Sequence, residues 1–140
     1  QQDASNCYCG DNAGIQFTAN GTVTALNNGQ LSTDEGCSSI SDGNGNLLFY
    51  TDGITVFDRN GTIMQNGFGL FGDPSSTQSG IIVPNPQFDT IFYIFTVDTI
   101  NQGNPGTDQG FNYSVVDMSM NGGLGRVIEK NNLFQPNFVG

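Results

Sequence analysis

The chain of 140 residues has no histidine and no tryptophan, and only three basic side chains stand against thirteen acidic ones. Histidine is the commonest general base in enzymes, so its absence removes the Ser-His and Cys-His pairs of many hydrolases. Arg59, Arg126 and Lys130 are too few to neutralise a phosphate backbone or to attract an anionic membrane. The composition therefore predicts a protein that is not an enzyme, binds no nucleic acid and does not insert directly into a membrane.

Helix signals are nearly absent as well. No window repeats apolar residues at helical spacing over three turns, and no apolar run approaches the roughly 20 residues that span a bilayer. Asn-Gly and Asp-Gly pairs recur along the chain, and such pairs favour tight hairpin turns. Short runs rich in Val, Ile, Phe, Tyr and Thr lie between them. This pattern predicts an all-β fold.

A pattern of four strand-like segments occurs twice. The first copy covers 37–41, 47–52, 54–58 and 62–64, and the second covers 79–83, 91–98, 113–117 and 126–128. Phe49 and Asp52 recur as Phe95 and Asp98, which lie 46 positions later by subtraction. Four strands with a period of about 40–50 residues are typical of propeller blades. We therefore expect two four-stranded antiparallel propeller-like blades, an incomplete β-propeller, since a ring needs about four to eight blades.

This repeat divides one β domain, 1–140, into four parts. N-terminal strands lie in 1–36, the first blade in 37–72 and the second in 73–130, while 131–140 begins a linker or the next blade. The polar stretch 99–110 is expected to form a long loop between strands of the second blade, where a binding function would be mounted. The first residue is Gln1 rather than Met, so we expect a mature N-terminus left by signal-peptide removal.

Three cysteines are present. A disulfide from Cys37 to Cys7 or to Cys9 would close a loop of about 30 residues, worth roughly 3 kcal/mol in the chain-entropy model. The remaining thiol would then be buried or bonded to another molecule.

One turn-like segment offers candidate calcium ligands. Oxygen-bearing side chains alternate with glycine at Asp42, Asn44 and Asn46, but the segment lacks the Gly and Glu positions of an EF-hand. A hairpin turn and a calcium turn are the two interpretations. Four aspartates stand at the ends of predicted strands: Asp52, Asp58, Asp98 and Asp117. Their side chains either close turns through Asx hydrogen bonds or form a ring of carboxylates.

An ordered set of motifs resembles the N-terminal region of large surface proteins from gliding Bacteroidetes-type bacteria, which leave the cell by type 9 secretion. The resemblance covers nearly the whole chain. It rests on Cys-Tyr-Cys-Gly-Asp-Asn-Ala-Gly-Ile at 7–15, Gln-Leu-Ser-Thr-Asp-Glu-Gly-Cys at 30–37, Asp-Gly-Asn-Gly-Asn-Leu-Leu-Phe-Tyr-Thr-Asp-Gly at 42–53, Pro-Ser-Ser-Thr-Gln-Ser-Gly-Ile-Ile-Val-Pro at 74–84, Tyr-Ile-Phe-Thr-Val-Asp at 93–98 and Tyr-Ser-Val-Val-Asp-Met at 113–118. Cys7 and Cys9 depart from the bulky aromatics of the family.

The resemblance implies an extracellular, gliding-motility-associated domain at the cell surface, within a much longer polypeptide. It also implies O-glycosylation at Thr90 and Thr99, which follow the Asp-Thr-aliphatic pattern that such bacteria use. The function that we expect is non-catalytic, structural or adhesive. The alternatives are a self-assembling fibre subunit that pairs by strand addition and a calcium-assisted glycan-binding module. Expected partners are other surface-protein domains, copies of the chain itself, or glycans, and no cofactor is expected unless calcium binds.

Overall fold

The computed structural model describes residues 3–73, 76–98 and 110–134, and within them the regular secondary structure is almost entirely β-strand. The all-β prediction is confirmed. In those ranges the helical content is a single 3-10 turn, Asn121–Gly123. None of the described segments is a helix long and apolar enough to span a bilayer. Three short strands form an N-terminal antiparallel sheet in the order β1-β2-β3: β1 Asn6–Tyr8, β2 Gly14–Phe17 and β3 Val23–Leu26.

Eight further strands form the main sheet, as two successive four-stranded antiparallel units. The first unit contains β4 Ser38–Ser41, β5 Leu47–Thr51, β6 Thr55–Asp58 and β7 Ile63–Phe68. The second contains β8 Gly80–Pro84, β9 Ile91–Val97, β10 Phe111–Asp117 and β11 Arg126–Leu133. These strands match the eight segments expected from the repeat to within a few residues.

The two units join edge to edge and do not stand as separate blades. β7 and β11 pair in parallel, so the sheet has the order β4-β5-β6-β7-β11-β10-β9-β8. Side-chain hydrogen bonds also join β7 and β11: Asn66 Nδ2 donates to the Val127 carbonyl at 2.8 Å, and Lys130 Nζ donates to the Phe68 carbonyl at 2.7 Å. The propeller arrangement is therefore not confirmed by this sheet.

The outer strands β4 and β8 also approach each other, so the sheet is nearly closed and barrel-like. The Ile82 N–H donates to Ser38 Oγ at 3.2 Å, and Ser79 Oγ donates to the Gly36 carbonyl at 3.1 Å. Gly53 sits at this closure with φ +88°, and a Cβ there would lie 2.6 Å from the Ser79 carbonyl oxygen. The close approach therefore requires glycine.

The nearly closed sheet encloses the main hydrophobic core. Phe49 and Phe92, one from each unit, meet edge to face with ring centroids 5.5 Å apart. Such contacts between the units make the eight strands one packed body. The core residues are Ile40, Phe49, Val56, Met64, Leu70, Ile82, Phe92, Ile94, Val116, Met118 and Val127.

The strand pairing shifts the correspondence between the two units by one residue from the one read from the sequence, which matched Phe49 with Phe95. Ile40 pairs with Phe49 in the first unit, and Ile82 pairs with Ile94 in the second. Ile94 is therefore the counterpart of Phe49, at a spacing of 45 by subtraction, and Phe95 is not. A one-residue shift reverses the face of every side chain in a strand. Phe49 is fully buried, whereas Phe95 lies on the outer face of the sheet.

Two predictions of organisation lie outside the described residues. The loop expected at 99–110 is described only at Gly110, and the linker or next blade expected at 131–140 is described only to Phe134.

Candidate functional site

A polar cleft of about 490 Å³ lies between the N-terminal sheet and the hairpin turn that joins β4 to β5. Among the residues that the structure describes, none that lines the cleft carries a charge. Phe17, which is 46% exposed, contributes an aromatic ring. The volume falls within the range of roughly 300–1,000 Å³ found for small-molecule sites. The lining residues are Ser5, Gln16, Phe17, Thr18, Ala19, Asn44, Gly45 and Asn46.

Asn6, a buried residue of β1, fixes the two walls of the cleft to each other. Its Nδ2 donates to Ser41 Oγ at 3.0 Å and to the Gly45 carbonyl at 2.9 Å, both in the β4–β5 wall. Its Oδ1 accepts from Gln16 Nε2 at 3.2 Å, in the wall formed by β2. One side chain thus bonds to both walls, which favours a preorganised cleft.

The candidate calcium ligands form the hairpin side of this cleft. Asp42 Oδ1 accepts from the N–H groups of Asn44 at 2.9 Å and Asn46 at 2.8 Å, and Oδ2 accepts from Asn46 Nδ2 at 2.9 Å. The Asn46 side-chain amide, followed by backbone N–H groups of the turn, holds the pKa of Asp42 below its usual range. These bonds support the hairpin-turn interpretation, and calcium binding stays a prediction.

Three of the four strand-ending aspartates, Asp52, Asp58 and Asp117, accept hydrogen bonds that close turns, and for Asp98 the turn interpretation stays a prediction. Asp52 Oδ1 accepts from the Ile54 N–H at 2.8 Å, and Asp58 Oδ1 accepts from the Asn60 N–H at 2.8 Å. Asp117 Oδ1 does the same with the Ser119 N–H at 2.8 Å. Among the described residues, no group of three or more His, Cys, Asp or Glu side chains is placed to hold a metal ion.

The three cysteines come together where the N-terminal sheet meets β4. The Sγ atoms of Cys7 and Cys9 lie 3.8 Å apart, and both thiols are near enough to Cys37 to raise its pKa. All three are free thiols in this structure, each partly buried. Burial, with the neighbouring thiols as a smaller cause, raises the pKa of Cys37 to about 11. Both disulfide pairings expected for Cys37, with Cys7 or with Cys9, remain predictions. Because the three thiols cluster, each of the two candidate partners lies close to Cys37.

A second candidate surface is aromatic and lies on the outer face of β9 and β10, together with the residue that follows β11. We call it the aromatic face and define it as Tyr93, Phe95, Phe111, Tyr113 and Phe134. Phe95 and Phe111 stack with centroids 5.6 Å apart, and Phe111 meets Phe134 edge to face at 5.5 Å. Two shallow apolar depressions of about 270 and 280 Å³ lie on it. Phe111 and Phe134 are 40% and 48% exposed, and a contiguous exposed apolar patch often marks an interaction site.

The equivalent face of the first unit is covered. Tyr50 and Phe57 are cross-strand partners, as are Phe95 and Tyr113 in the second unit. Tyr8 of β1 stacks on Tyr50 with centroids 4.7 Å apart, and Tyr50 stacks on Phe57 at 5.4 Å. The N-terminal sheet therefore buries Tyr50, while Phe57 beside it is partly buried, and burial raises the pKa of Tyr50.

Of the two residues expected to carry sugars, Thr90 is exposed in the turn before β9, and its glycosylation stays a prediction. Thr99 lies outside the described residues.

Sequence reasoning missed the polar cleft and did not select the aromatic face. The cleft joins residues about 30 positions apart in the chain, and only the pairing of β1 with its neighbours brings them together. Alternation in β9 and β10 marks one aromatic-rich face, but alternation alone does not say which face is buried. The chain matches no protein-family model, no curated protein and no solved structure.

Proposed function

We propose that the chain is a non-catalytic structural and adhesion domain of a bacterial cell-surface protein, exported by type 9 secretion and located outside the cell. The observation that carries this proposal is the exposed aromatic face: no strand of the described residues covers it, whereas another sheet covers the equivalent face of the first unit. Exposed apolar clusters of this kind mark association surfaces in soluble proteins. Export and cell-surface location rest on the sequence resemblance.

The occupant that we propose for the aromatic face is another antiparallel sheet that presents an aromatic ring, as β1 presents Tyr8 to Tyr50. In a propeller-like parent protein, that sheet is the next four-stranded blade. For the isolated chain, it is a sheet of a second copy. The proposal thus retains the propeller-like arrangement as a property of the longer protein.

Sedimentation velocity of the purified chain tests this proposal. Replacing Phe95 and Tyr113 together by Ser removes the centre of the aromatic face, whereas Phe88→Ser removes an exposed ring (59% exposed) from a turn elsewhere. We expect the unmodified chain and Phe88→Ser to associate reversibly by about 100 μM, and the double variant to stay monomeric. A monomeric unmodified chain, or association that survives the double substitution, would contradict the proposal.

The fibre-subunit alternative is favoured by a different feature, the outer edge of β3. β3 pairs with β2 on one side, and no described strand lies on its other side. Such an edge is a template for strand addition. The Thr18 N–H donates to the Thr22 carbonyl at 3.0 Å, so by alternation the N–H of Ala25 points away from β2.

Proline at position 25 separates the two modes of assembly. Ala25→Pro removes a donor from the outer edge and keeps the bonds to β2. Loss of assembly in Ala25→Pro with retention in the Phe95 and Tyr113 double variant would establish strand addition. The reverse result would establish association through the aromatic face.

A further inference from the structure

We propose that the polar cleft between the N-terminal sheet and the β4–β5 hairpin binds a neutral saccharide of about two sugar rings. The proposal does not rest on association through the aromatic face. It assigns a ligand to a different surface, formed by different residues.

The lining of the cleft selects the ligand class. An anionic ligand would need cationic side chains, and none of the described lining residues is cationic. A metal cation would need free carboxylate oxygens, whereas both oxygens of the neighbouring Asp42 accept hydrogen bonds within the turn. An apolar peptide would need an apolar lining, whereas most lining residues here bear amides or hydroxyls. A ligand rich in hydroxyl groups and without charge satisfies all three conditions.

The polar groups and the ring fit such a ligand in geometry as well as in type. Side-chain amides both donate and accept, as sugar hydroxyls do, and the side chains of Gln16, Asn44 and Asn46 lie on opposing walls. Phe17 supplies an exposed ring on which the apolar C–H face of a sugar stacks. The volume of about 490 Å³ accommodates a disaccharide.

The cleft is also held in position before a ligand arrives. Asn6 bonds to both walls, and Asn46 Nδ2 is bonded to Asp42 Oδ2 at 2.9 Å. Little ordering is therefore required on binding, which lowers the entropic cost. An open site with few contacts still predicts weak binding, with Kd of about 1–10 mM for a single disaccharide.

The test is a titration of the isotope-labelled chain, followed by backbone amide NMR. Cellobiose, maltose and N,N′-diacetylchitobiose are each added to about 20 mM. We expect at least one of them to shift the amide signals of 16–18 and 44–46. Phe17→Ala weakens that binding at least about tenfold, and Phe88→Ala, which removes an exposed ring outside the cleft, leaves it unchanged.

Asn44→Ala provides a second variant that preserves the turn. The backbone N–H of Asn44, which bonds to Asp42 Oδ1, remains, and only the side-chain amide is lost. We expect Asn44→Ala to weaken binding several-fold while the spectrum keeps its native dispersion. The proposal is overturned if none of the three sugars shifts any cleft signal. It is also overturned if the shifts fall on the aromatic face, or if neither cleft variant weakens binding.

Discussion

At the scale of single residues, two threonines at equivalent positions of the two units differ in their hydrogen bonds. Thr51 and Thr96 both pair with the first strand of their unit and are fully buried. Thr51 Oγ1 donates to the Thr55 carbonyl at 2.7 Å and accepts from the Gly53 N–H at 2.9 Å. Among the described residues, Thr96 Oγ1 is the one buried side-chain polar atom with no hydrogen-bond partner.

Valine at these two positions has opposite expected effects. Thr96→Val removes an unsatisfied hydroxyl at nearly constant shape, so we expect the free energy of unfolding to rise by about 1 kcal/mol. Thr51→Val removes two hydrogen bonds and leaves their partners unsatisfied, so we expect a fall of about 1–3 kcal/mol. Urea unfolding of both variants measures the difference. Equal destabilisation by the two substitutions would show that Thr96 Oγ1 has a partner.

The raised pKa of Cys37 predicts its reactivity. Burial raises this pKa from 9.0 to about 11, so in the reduced protein the rate of alkylation by iodoacetamide should keep rising with pH until about 11. In urea, where the chain is unfolded, the alkylation rate should level off near pH 9. Because the folded state holds the proton more tightly, the contribution to stability is complete below pH 9 and is lost as pH rises towards 11. Peptide mapping measures the rates; a plateau near pH 9 in the folded protein would contradict the shift.

At the scale of elements, strand positions were predictable and strand register was not. The Asn-Gly and Asp-Gly pairs set the hairpin ends, and the β-branched and aromatic runs set the strands. The second unit is offset by one residue because Val97 extends β9 beyond Thr96, before Asp98. Matching Phe49 with Phe95 by residue type therefore placed Phe95 on the core face, whereas it lies on the outer face. Only the pairing of these strands with β4 and β8 fixes their register.

Asn6 couples the two sheets, so its loss should affect both stability and the cleft. Asn6→Ala removes three side-chain hydrogen bonds at a buried position, and we expect the free energy of unfolding to fall by about 2 kcal/mol. The matched control is Asn27→Ala, at an exposed position between β3 and β4. Thermal unfolding of both variants gives the comparison. An Asn6→Ala variant as stable as Asn27→Ala would mean that the Asn6 side chain adds nothing to the Tyr8–Tyr50 stack and to the hydrogen bonds of Ser39 and Ser41 that also join the sheets.

At the scale of the whole molecule, the joining of the two units was the least predictable feature. The parallel pairing of β7 with β11 links Gln65 to Arg126, and neither strand carries a local signal for its neighbour. The same holds for the polar cleft, whose walls meet only through the packing of β1 beside β4. Local patterns determine turns and strands, whereas edges and clefts arise from contacts between segments distant in the chain.

Net charge then decides how salt acts on the assembled molecule. At a formal charge of −10, two copies repel each other, whereas the aromatic face itself has no charged residue. Salt screens the repulsion, so raising NaCl from about 20 to about 500 mM should tighten self-association several-fold. Binding of a neutral saccharide in the cleft should not change. Sedimentation and NMR titrations at both concentrations measure the two effects. Association weakened by salt would indicate an interface of paired charges, which the aromatic face does not contain.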